Sequence, residues 1–177
     1  MTIHPTAIIS PHAKLADDII IGPGVVIGER VEIGAGCVLQ AHSVIESDTT
    51  IGSDNTIGYG AVIGAAPQDY AHSAEIRSSV VIGNNNRIRE YATIHRGTKD
   101  GTVTRIGDNC FLMVGVHVGH NCEICDSAIV TNNVLLAGYV QVGESAVLGG
   151  GAVFHQFMRI GARAMVVTAC RKDSAAL

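Results

Sequence analysis

The chain has 177 residues, a formal net charge of −4 at pH 7 and 47% hydrophobic residues, and its length fits one domain of ordinary size. It lacks both the roughly 18-residue apolar run of a membrane span and the basic and apolar regions of a signal peptide, which predicts a cytoplasmic protein with no membrane insertion. No basic run is interleaved with aromatic residues, which argues against nucleic-acid binding.

A large aliphatic residue recurs at every sixth position along most of the chain. The recurrence covers 3–63, 76–94 and 106–166 and makes 26 hexads, with Phe154 as the one aromatic exception. Twelve hexads carry Gly at the second position, and most carry a small residue at the fifth. A six-residue period fits neither an α-helix nor an unbroken strand alternation, but it fits a short strand followed by a corner.

Three such sides close a triangular coil of 18 residues, and each coil pairs with the next about 4.8 Å away. The large and the small residue of each hexad then point inward and stack in columns, as in other solenoids. The second-position glycines are expected to supply a permissive backbone at the corners. The sequence therefore predicts an all-β fold, a single-stranded parallel β-helix with the shape of a triangular prism.

Two segments outside the ladder are predicted to be ejected loops, at 65–75 and 97–105. Pro67 prevents ladder pairing in the first loop, and the second is polar. Loops that leave a rigid scaffold often carry function. The rest of the chain is predicted to form one β-helix domain over 1–171, followed by a short tail over 172–177.

Most cysteines belong to the repeat, because they fall on the small fifth position and are predicted to be buried thiols. They are Cys37, Cys110, Cys122 and Cys170. Cys122 and Cys125 form a C-x-x-C pair, but no second pair accompanies it and the register turns Cys122 inward. We expect neither a metal or redox site nor a disulfide framework.

Two histidines lie close together in GVHVGHNC, residues 115–122. His117 takes the last position of one hexad and His120 the third position of the next, so neither falls on an inward column. Both should project outward near a corner, where an imidazole is available for proton transfer near pH 7.

The 18-residue coil predicts the neighbours of His120. Gly138 should lie over His120, and Gln156 over Gly138. Tyr139 should lie over Asn121 in the same way. A His base, a Gly with a bare backbone N–H and nearby polar donors are the parts of an acyl-transfer site, because the base takes a hydroxyl proton and the N–H stabilises the oxyanion.

Four segments carry a more specific signal than the hexads. They are NRIREYATIHRGT at 86–98, GVHVGHNC at 115–122, NNVLLAGYVQV at 132–142 and GGGAVFHQFMRIGARAMV at 149–166. In order and spacing the chain resembles the UDP-N-acetylglucosamine 3-O-acyltransferase family of lipid A biosynthesis nearly end to end. The resemblance implies a left-handed coil and a homotrimer with sites between neighbouring β-helices. It also implies an acyl donor carried on the phosphopantetheine of acyl carrier protein, a UDP-linked amino sugar as acceptor, and no tightly bound cofactor.

The resemblance assigns roles to residues of this chain. His120 matches the general base, and Gly138 matches the backbone oxyanion donor. The expected substrate-binding residues are Gln68, Asp69, His117, Asn121, Tyr139, His155 and Gln156. The acyl-chain pocket is expected at Met165 and Thr168, and no metal site is implied.

The chain departs from the family pattern at several of these positions. Asn121 stands where the family has Asp, so the base is expected to be weaker, because an amide cannot stabilise an imidazolium by charge. Tyr139 replaces a His, and Ala71 and His72 occupy a stretch where the family has a Lys. Thr168 falls where the family often has a Gly that limits acyl-chain length, so the expected acyl chain is short.

The two ends of the chain differ in charge and in what the resemblance covers. Residues 1–75 hold 2 basic and 9 acidic side chains, whereas 76–177 hold 10 basic and 7 acidic ones, a balance that fits an acidic carrier protein. The family continues with a helical C-terminal domain, but the ladder here ends at the hexad of Val166. The chain is therefore expected to be a short form lacking that domain, by nature or by truncation.

Three alternatives stay open. An acetyl-CoA-dependent sugar acetyltransferase would use the same scaffold. A γ-type carbonic anhydrase would need three His from adjoining subunits, but His95, His117 and His120 lack the spacing of that family. A non-catalytic, oligomerising β-helix is favoured by the lost Asp, the lost Lys and the missing helical domain.

Overall fold

The computed structural model of the chain describes residues 1–167. Over these residues the chain is a left-handed parallel β-helix, which confirms the predicted fold class. Short strands follow one another around three sides of a prism, and strands on the same side pair in parallel. Within 1–167 there is no helix long and apolar enough to span a membrane. The predicted tail at 172–177 lies outside the described residues.

Each side of the prism is one sheet. The first sheet contains, in spatial order, β1 (Thr2–Ile3), β4 (Ile20–Ile21), β7 (Val38–Leu39), β10 (Thr56–Ile57), β13 (Arg87–Ile88), β16 (Phe111–Leu112), β19 (Ile129–Val130), β22 (Val147–Leu148) and β25 (Met165–Val166). The second contains β2 (Ile8–Ile9), β5 (Val26–Ile27), β8 (Val44–Ile45), β11 (Val62–Ala65), β14 (Thr93–His95), β17 (His117–Val118), β20 (Leu135–Leu136) and β23 (Val153–Phe154). The third contains β3 (Lys14–Leu15), β6 (Glu32–Ile33), β9 (Thr49–Ile51), β12 (Ser79–Ile82), β15 (Val103–Ile106), β18 (Glu123–Ile124), β21 (Gln141–Val142) and β24 (Arg159–Ile160).

The core consists of the first-position and fifth-position residues that the hexads predict to point inward from each side. In the coil at the site, Leu112 and Val118 are fully buried first-position residues, and Val116 and Cys122 are buried fifth-position residues. Away from the two loops, each strand pairs with one 18 residues further along, as Val118 does with Leu136. This register places the outward corner residues of successive coils directly above one another.

The second-position glycines have a different role from the predicted one. Except at Gly64 (φ 85°), the left-handed backbone falls on the fourth residue of the hexad instead, as at Asn121 (φ 59°) and Tyr139 (φ 61°). A second-position glycine lies where the next coil passes closely: a Cβ at Gly28 would be 2.8 Å from the Ser47 backbone nitrogen. Glycine is thus required there by the spacing of the coils and not by its φ.

Both loops have different bounds from the predicted ones. The first spans 66–78, because Ala65 still belongs to β11 and the predicted hexad at Ile76 forms no strand. The second spans 96–102, because Val103 already begins β15. The strands that return from the two loops, β12 and β15, pair with each other over four residues, which joins the bases of the loops.

The cysteines within the described residues are packed thiols. Cys122 is buried, its Sγ donates to the Ala137 carbonyl at 3.0 Å, and burial raises the pKa of its thiol to about 11. Burial also raises the pKa of the Cys125 thiol. Both thiols are therefore protonated at neutral pH, where a protonated thiol is a weak nucleophile. Cys170 lies outside the described residues.

Candidate active site

One corner of the prism, after strands β17, β20 and β23, carries the residues that the spacing predicted to stack. His120, Gly138 and Gln156 take the same position in three successive coils. The Tyr139 backbone N–H donates to the His120 carbonyl at 2.9 Å, which confirms the coil-to-coil alignment. The residues that follow share a left-handed backbone. They are Asn121 (φ 59°), Tyr139 (φ 61°) and Phe157 (φ 65°).

The half-buried His120 imidazole is oriented by Asn121. Its Nδ1 lies 3.0 Å from Asn121 Oδ1, and the same oxygen accepts the backbone N–H and the hydroxyl of Thr98, each at 3.1 Å. A backbone N–H can only donate, so the oxygen end of the amide must face it, and that oxygen can only accept. Nδ1 of His120 therefore carries the proton, and Nε2 keeps the lone pair that a general base needs.

Gly138 is buried directly against the His120 ring. A Cβ at Gly138 would overlap the imidazole, so only glycine leaves room for the ring in this position. Among the described residues no acceptor takes the Gly138 N–H. Gly138 takes the third position of its hexad. In another coil the same position is Pro23, which has no N–H, so pairing between coils does not need an N–H at this position. An N–H without an acceptor beside a base is what an oxyanion donor requires.

His117 is half-buried between other imidazoles. Its ring centroid lies 5.0 Å from that of His95, and its Nδ1 lies 2.9 Å from the Thr93 hydroxyl. Burial lowers the pKa of His117, and the charges of His95 and His120 lower it further. His117 is therefore neutral at pH 7, because its pKa lies below the ordinary value of 6.5, and it can hydrogen-bond to a ligand hydroxyl.

Three residues at the site were not among the predicted site residues. His95 is 8% exposed, and its Nδ1 donates to the Ala66 carbonyl at 2.7 Å, which joins the first loop to the coil. His95 takes the second position of its hexad, where glycine is the commonest residue. A histidine at that position was the signal by which the sequence could have identified it. Thr98 and Phe157 carried no such signal, since the repeat requires no particular residue in a loop or at the fourth position.

A groove of about 570 Å³ lies between the two loops and this corner. The first loop contributes Gln68 and Asp69, and the second contributes Thr98 and Lys99. The corner contributes His120, Tyr139, Gln156 and Phe157. The groove therefore offers amides, one carboxylate, one ammonium group and an aromatic surface to a polar ligand.

A narrower pocket of about 170 Å³ adjoins this groove. It is lined by Gln68, His95, His117, Gly119, His120, Ala137, Gly138 and Gln156. The ring of His120 thus lines both spaces, and the narrow pocket holds the Gly138 backbone and the bare histidine nitrogen together.

The structure brings together most of the predicted site residues, but not all of them. Asn121 lies behind His120 and orients it. His155 lines neither space, because its ring is exposed and its Nδ1 lies 3.3 Å from the Gln156 carbonyl. Met165 is 74% exposed on β25 and also lines neither. Thr168 lies outside the described residues.

The sequence matches a family model and a group of curated proteins. The model describes the bacterial transferase hexapeptide (six repeats) and matches residues 30–65 and 104–138. An acyl-[acyl-carrier-protein]–UDP-N-acetylglucosamine O-acyltransferase from Thiobacillus denitrificans is 52% identical over 93% of this chain and 64% of its own length. One of the same name from Burkholderia orbicola is 49% identical over 93% of this chain and 63% of its own length. The chain thus spans less than two thirds of these curated relatives.

Solved structures of similar proteins share the fold closely. The UDP-N-acetylglucosamine acyltransferase of Francisella novicida superposes with a TM-score of 0.89 at 42% identity, over 93% of this chain and 62% of that one. The UDP-N-acetylglucosamine O-acyltransferase of Moraxella catarrhalis superposes with a TM-score of 0.88 at 44% identity, over 94% of this chain and 67% of that one.

Proposed function

Because the chain belongs to the UDP-N-acetylglucosamine O-acyltransferase family, we propose that it transfers a (hydroxy)acyl group from acyl carrier protein to a UDP-linked amino sugar. The acceptor group is a hydroxyl or an amine, and the reaction is the first step of lipid A biosynthesis. The observation that carries the proposal is the bare Nε2 of His120 beside the unbonded N–H of Gly138.

The reaction uses these two groups in sequence. Nε2 of His120 accepts the proton of the sugar hydroxyl while that oxygen attacks the thioester carbonyl carbon. Negative charge develops on the carbonyl oxygen, and the Gly138 N–H stabilises it. When the tetrahedral intermediate collapses, the carbon–sulfur bond breaks and His120 returns the proton to the departing phosphopantetheine thiolate. No tightly bound cofactor takes part, because the donor carries its own thioester.

The groove supports binding of a nucleotide sugar. Gln68, Asp69 and Gln156 present hydrogen-bonding groups to sugar hydroxyls near His120. Neutral His117 adds a donor or acceptor in the narrow pocket. Lys99 is the cation of the groove, which suits a diphosphate. Nucleotide sugars and acyl carrier protein are cytoplasmic molecules, and we propose that compartment for the protein.

We propose that the protein acts as a homotrimer, because two of its faces are mainly apolar and the third is mainly polar. The outward residues of the second sheet are Ile8, Val26, Val44, Val62, Thr93, His117, Leu135 and Val153. Those of the third sheet are Lys14, Glu32, Thr50, Val81, Arg105, Glu123, Gln141 and Arg159. Those of the first sheet are Ile20, Val38, Phe111, Ile129, Val147 and Met165, with Thr2, Thr56 and Arg87 as the polar exceptions. A chain with two apolar faces can meet two neighbours in a closed ring.

This arrangement would place the candidate site between subunits. His117 projects from the second sheet, so a neighbour that covers this face also closes the groove. Met165, which is exposed in the single chain, would line an acyl pocket only when a neighbour covers the first sheet. We therefore propose that Met165 and Thr168 belong to the acyl-chain pocket.

Placing a charge on the apolar second sheet should dissociate the trimer. Val153 is 72% exposed in the single chain, and Val153→Asp would bury an unpaired carboxylate at the contact. We expect the mass measured by size-exclusion chromatography with light scattering to fall from trimer to monomer. Gln141→Asp, on the polar third sheet, is the matched control and should leave the trimer intact. A trimeric Val153→Asp protein would exclude this face from the contact.

The choice of acyl donor tests the proposed activity itself. Purified protein is incubated with UDP-N-acetylglucosamine and either hydroxyacyl-acyl carrier proteins of several chain lengths or acetyl-CoA, and products are identified by mass spectrometry. We expect acylated nucleotide sugar from the carrier protein only, with short chains preferred. Transfer from acetyl-CoA alone would instead indicate a sugar acetyltransferase. Inactivity with every donor would support a non-catalytic β-helix.

A further inference from the structure

The second loop reaches the base through a side chain that no repeat position predicts. We infer that Thr98 is a positioning residue: by holding the Asn121 amide in one orientation, it keeps His120 in the tautomer that can act as a base. The role of this tautomer in acyl transfer rests on the proposed function. The tautomer itself does not, because it can be observed in the free protein.

An asparagine beside a histidine base needs such a constraint, whereas a carboxylate does not. Both oxygens of a carboxylate accept, so either one keeps the proton on the near imidazole nitrogen. An amide has one accepting and one donating end of nearly equal shape. If the Asn121 NH₂ faced Nδ1 of His120, it would donate to that nitrogen, and the ring proton would move to Nε2. The ring could then no longer accept a proton from a substrate.

Thr98 removes this ambiguity with two donors aimed at one atom. Its backbone N–H and its hydroxyl each lie 3.1 Å from Asn121 Oδ1. With the amide reversed, both would face the NH₂ group, and the backbone N–H would have no acceptor there. Among residues 1–167, the Asn121 NH₂ has no hydrogen-bond acceptor of its own. The preference for one orientation therefore comes from the contacts of Oδ1.

Thr98 is itself held in place from the next coil. Its Oγ1 lies 3.3 Å from the Tyr139 hydroxyl. Because the single Thr98 hydroxyl proton points to Asn121, the Tyr139 hydroxyl must be the donor in this contact. The Tyr139 ring meets the His120 ring edge-on at 5.3 Å and stacks on Phe157 at 4.9 Å. Tyr139 thus donates to Thr98 and Thr98 donates to Asn121 Oδ1, the oxygen that also accepts the Nδ1–H of the base.

The Asn121 backbone is fixed independently of this chain. Its N–H donates at 2.8 Å to the hydroxyl of Thr104, which is fully buried. A change at Thr98 therefore alters the side-chain orientation of Asn121 without releasing its backbone. This separation makes the inference testable with a small substitution.

The test compares two replacements of Thr98. Thr98→Val keeps the shape and the backbone N–H but removes the hydroxyl, whereas Thr98→Ser keeps both donors. Loss of one hydrogen bond to the amide weakens the preference for its orientation by about 1 kcal/mol, so part of the protein should leave the active tautomer. We expect Thr98→Val to lower kcat about twofold, with KM for the nucleotide sugar unchanged, and Thr98→Ser to behave like the wild type.

The same Thr98→Val substitution made in Asn121→Asp protein separates a positioning role of Thr98 from a structural one. In Asn121→Asp protein the carboxylate has no wrong end, so adding Thr98→Val should cost little further kcat. An equal loss in both backgrounds would overturn the inference, because it would show that Thr98 acts other than through the amide orientation.

Nitrogen-15 NMR of the imidazoles gives a readout that does not depend on activity. Histidine signals are recorded above pH 7.5 for the wild type and Thr98→Val, and the His120 signal is identified by its absence in His120→Ala. We expect the Nδ1–H tautomer in the wild type. In Thr98→Val only the backbone N–H still favours this amide orientation, so we expect a mixture of the two tautomers. An unchanged tautomer in Thr98→Val would refute the inference even if the protein transfers acyl groups. A changed tautomer in a protein without transferase activity would support it while the proposed function fails.

Discussion

Replacing His120 with alanine lowers kcat for acyl transfer to the amino sugar by about 10²–10⁴-fold, the range that a positioned general base contributes. The physical reason is that His120, with its bare Nε2, lines both the groove and the narrow pocket, and Gly138 lines the narrow pocket beside it. The measurement is steady-state kinetics with hydroxyacyl-acyl carrier protein and UDP-N-acetylglucosamine. KM for the sugar should change far less than kcat, because the base acts mainly in the transition state.

The control for this variant is another outward histidine. His12 is exposed and lies in the acidic half, away from both loops, so His12→Ala should keep wild-type rates. A His120→Ala protein that retains the wild-type rate would remove His120 from the role of base. A comparable loss in His12→Ala would show that the effect is not specific to the site.

Replacing Gly138 with alanine should displace the base without changing the fold. The backbone of Gly138 has an ordinary φ, so an alanine is strained only by its Cβ, which would overlap the His120 ring. Overpacking of this kind costs about 1–3 kcal/mol, and a shift of the base by about 1 Å can lower the rate about 10²-fold. We expect both losses in Gly138→Ala, measured by urea denaturation and by kcat.

A double-variant cycle identifies the cause of these losses. In His120→Ala the ring is gone, so adding Gly138→Ala should cost almost no stability, and the two effects should not add. Gly161→Ala is the matched control, since a Cβ there has no heavy atom of residues 1–167 within 4 Å, and its stability should match the wild type. If Gly138→Ala is as destabilising in the His120→Ala background as in the wild type, the contact with the ring is not the cause.

The departures from the family pattern have a common structural consequence. Asn121 and Tyr139 are the two positions at the base where the resemblance implies another residue, and the structure joins them through Thr98. A carboxylate would orient His120 and also oppose the charge that forms on the ring, whereas the amide only orients it. The base here therefore depends on hydrogen-bond direction, which is why the second loop matters for it.

The sequence by itself determined the fold and the register of the coils. Only one register buries all the large aliphatic residues at once, and a shift would expose a whole column. Gly138 over His120 and Tyr139 over Asn121 follow from that register, so these stacks could be predicted. The expected role of the second-position glycines was wrong except at Gly64, because contact between coils does not appear in the repeat itself.

Only the tertiary structure decided how the aperiodic segments meet this corner. The approach of Thr98 to Asn121, the contact of His95 with the first loop and the exposure of His155 depend on loop paths. A loop has no repeating pattern of burial, and its course is set by contacts with residues distant in the sequence. The tautomer of His120 belongs to the same class, because the direction of one amide decides it and no sequence pattern specifies that direction.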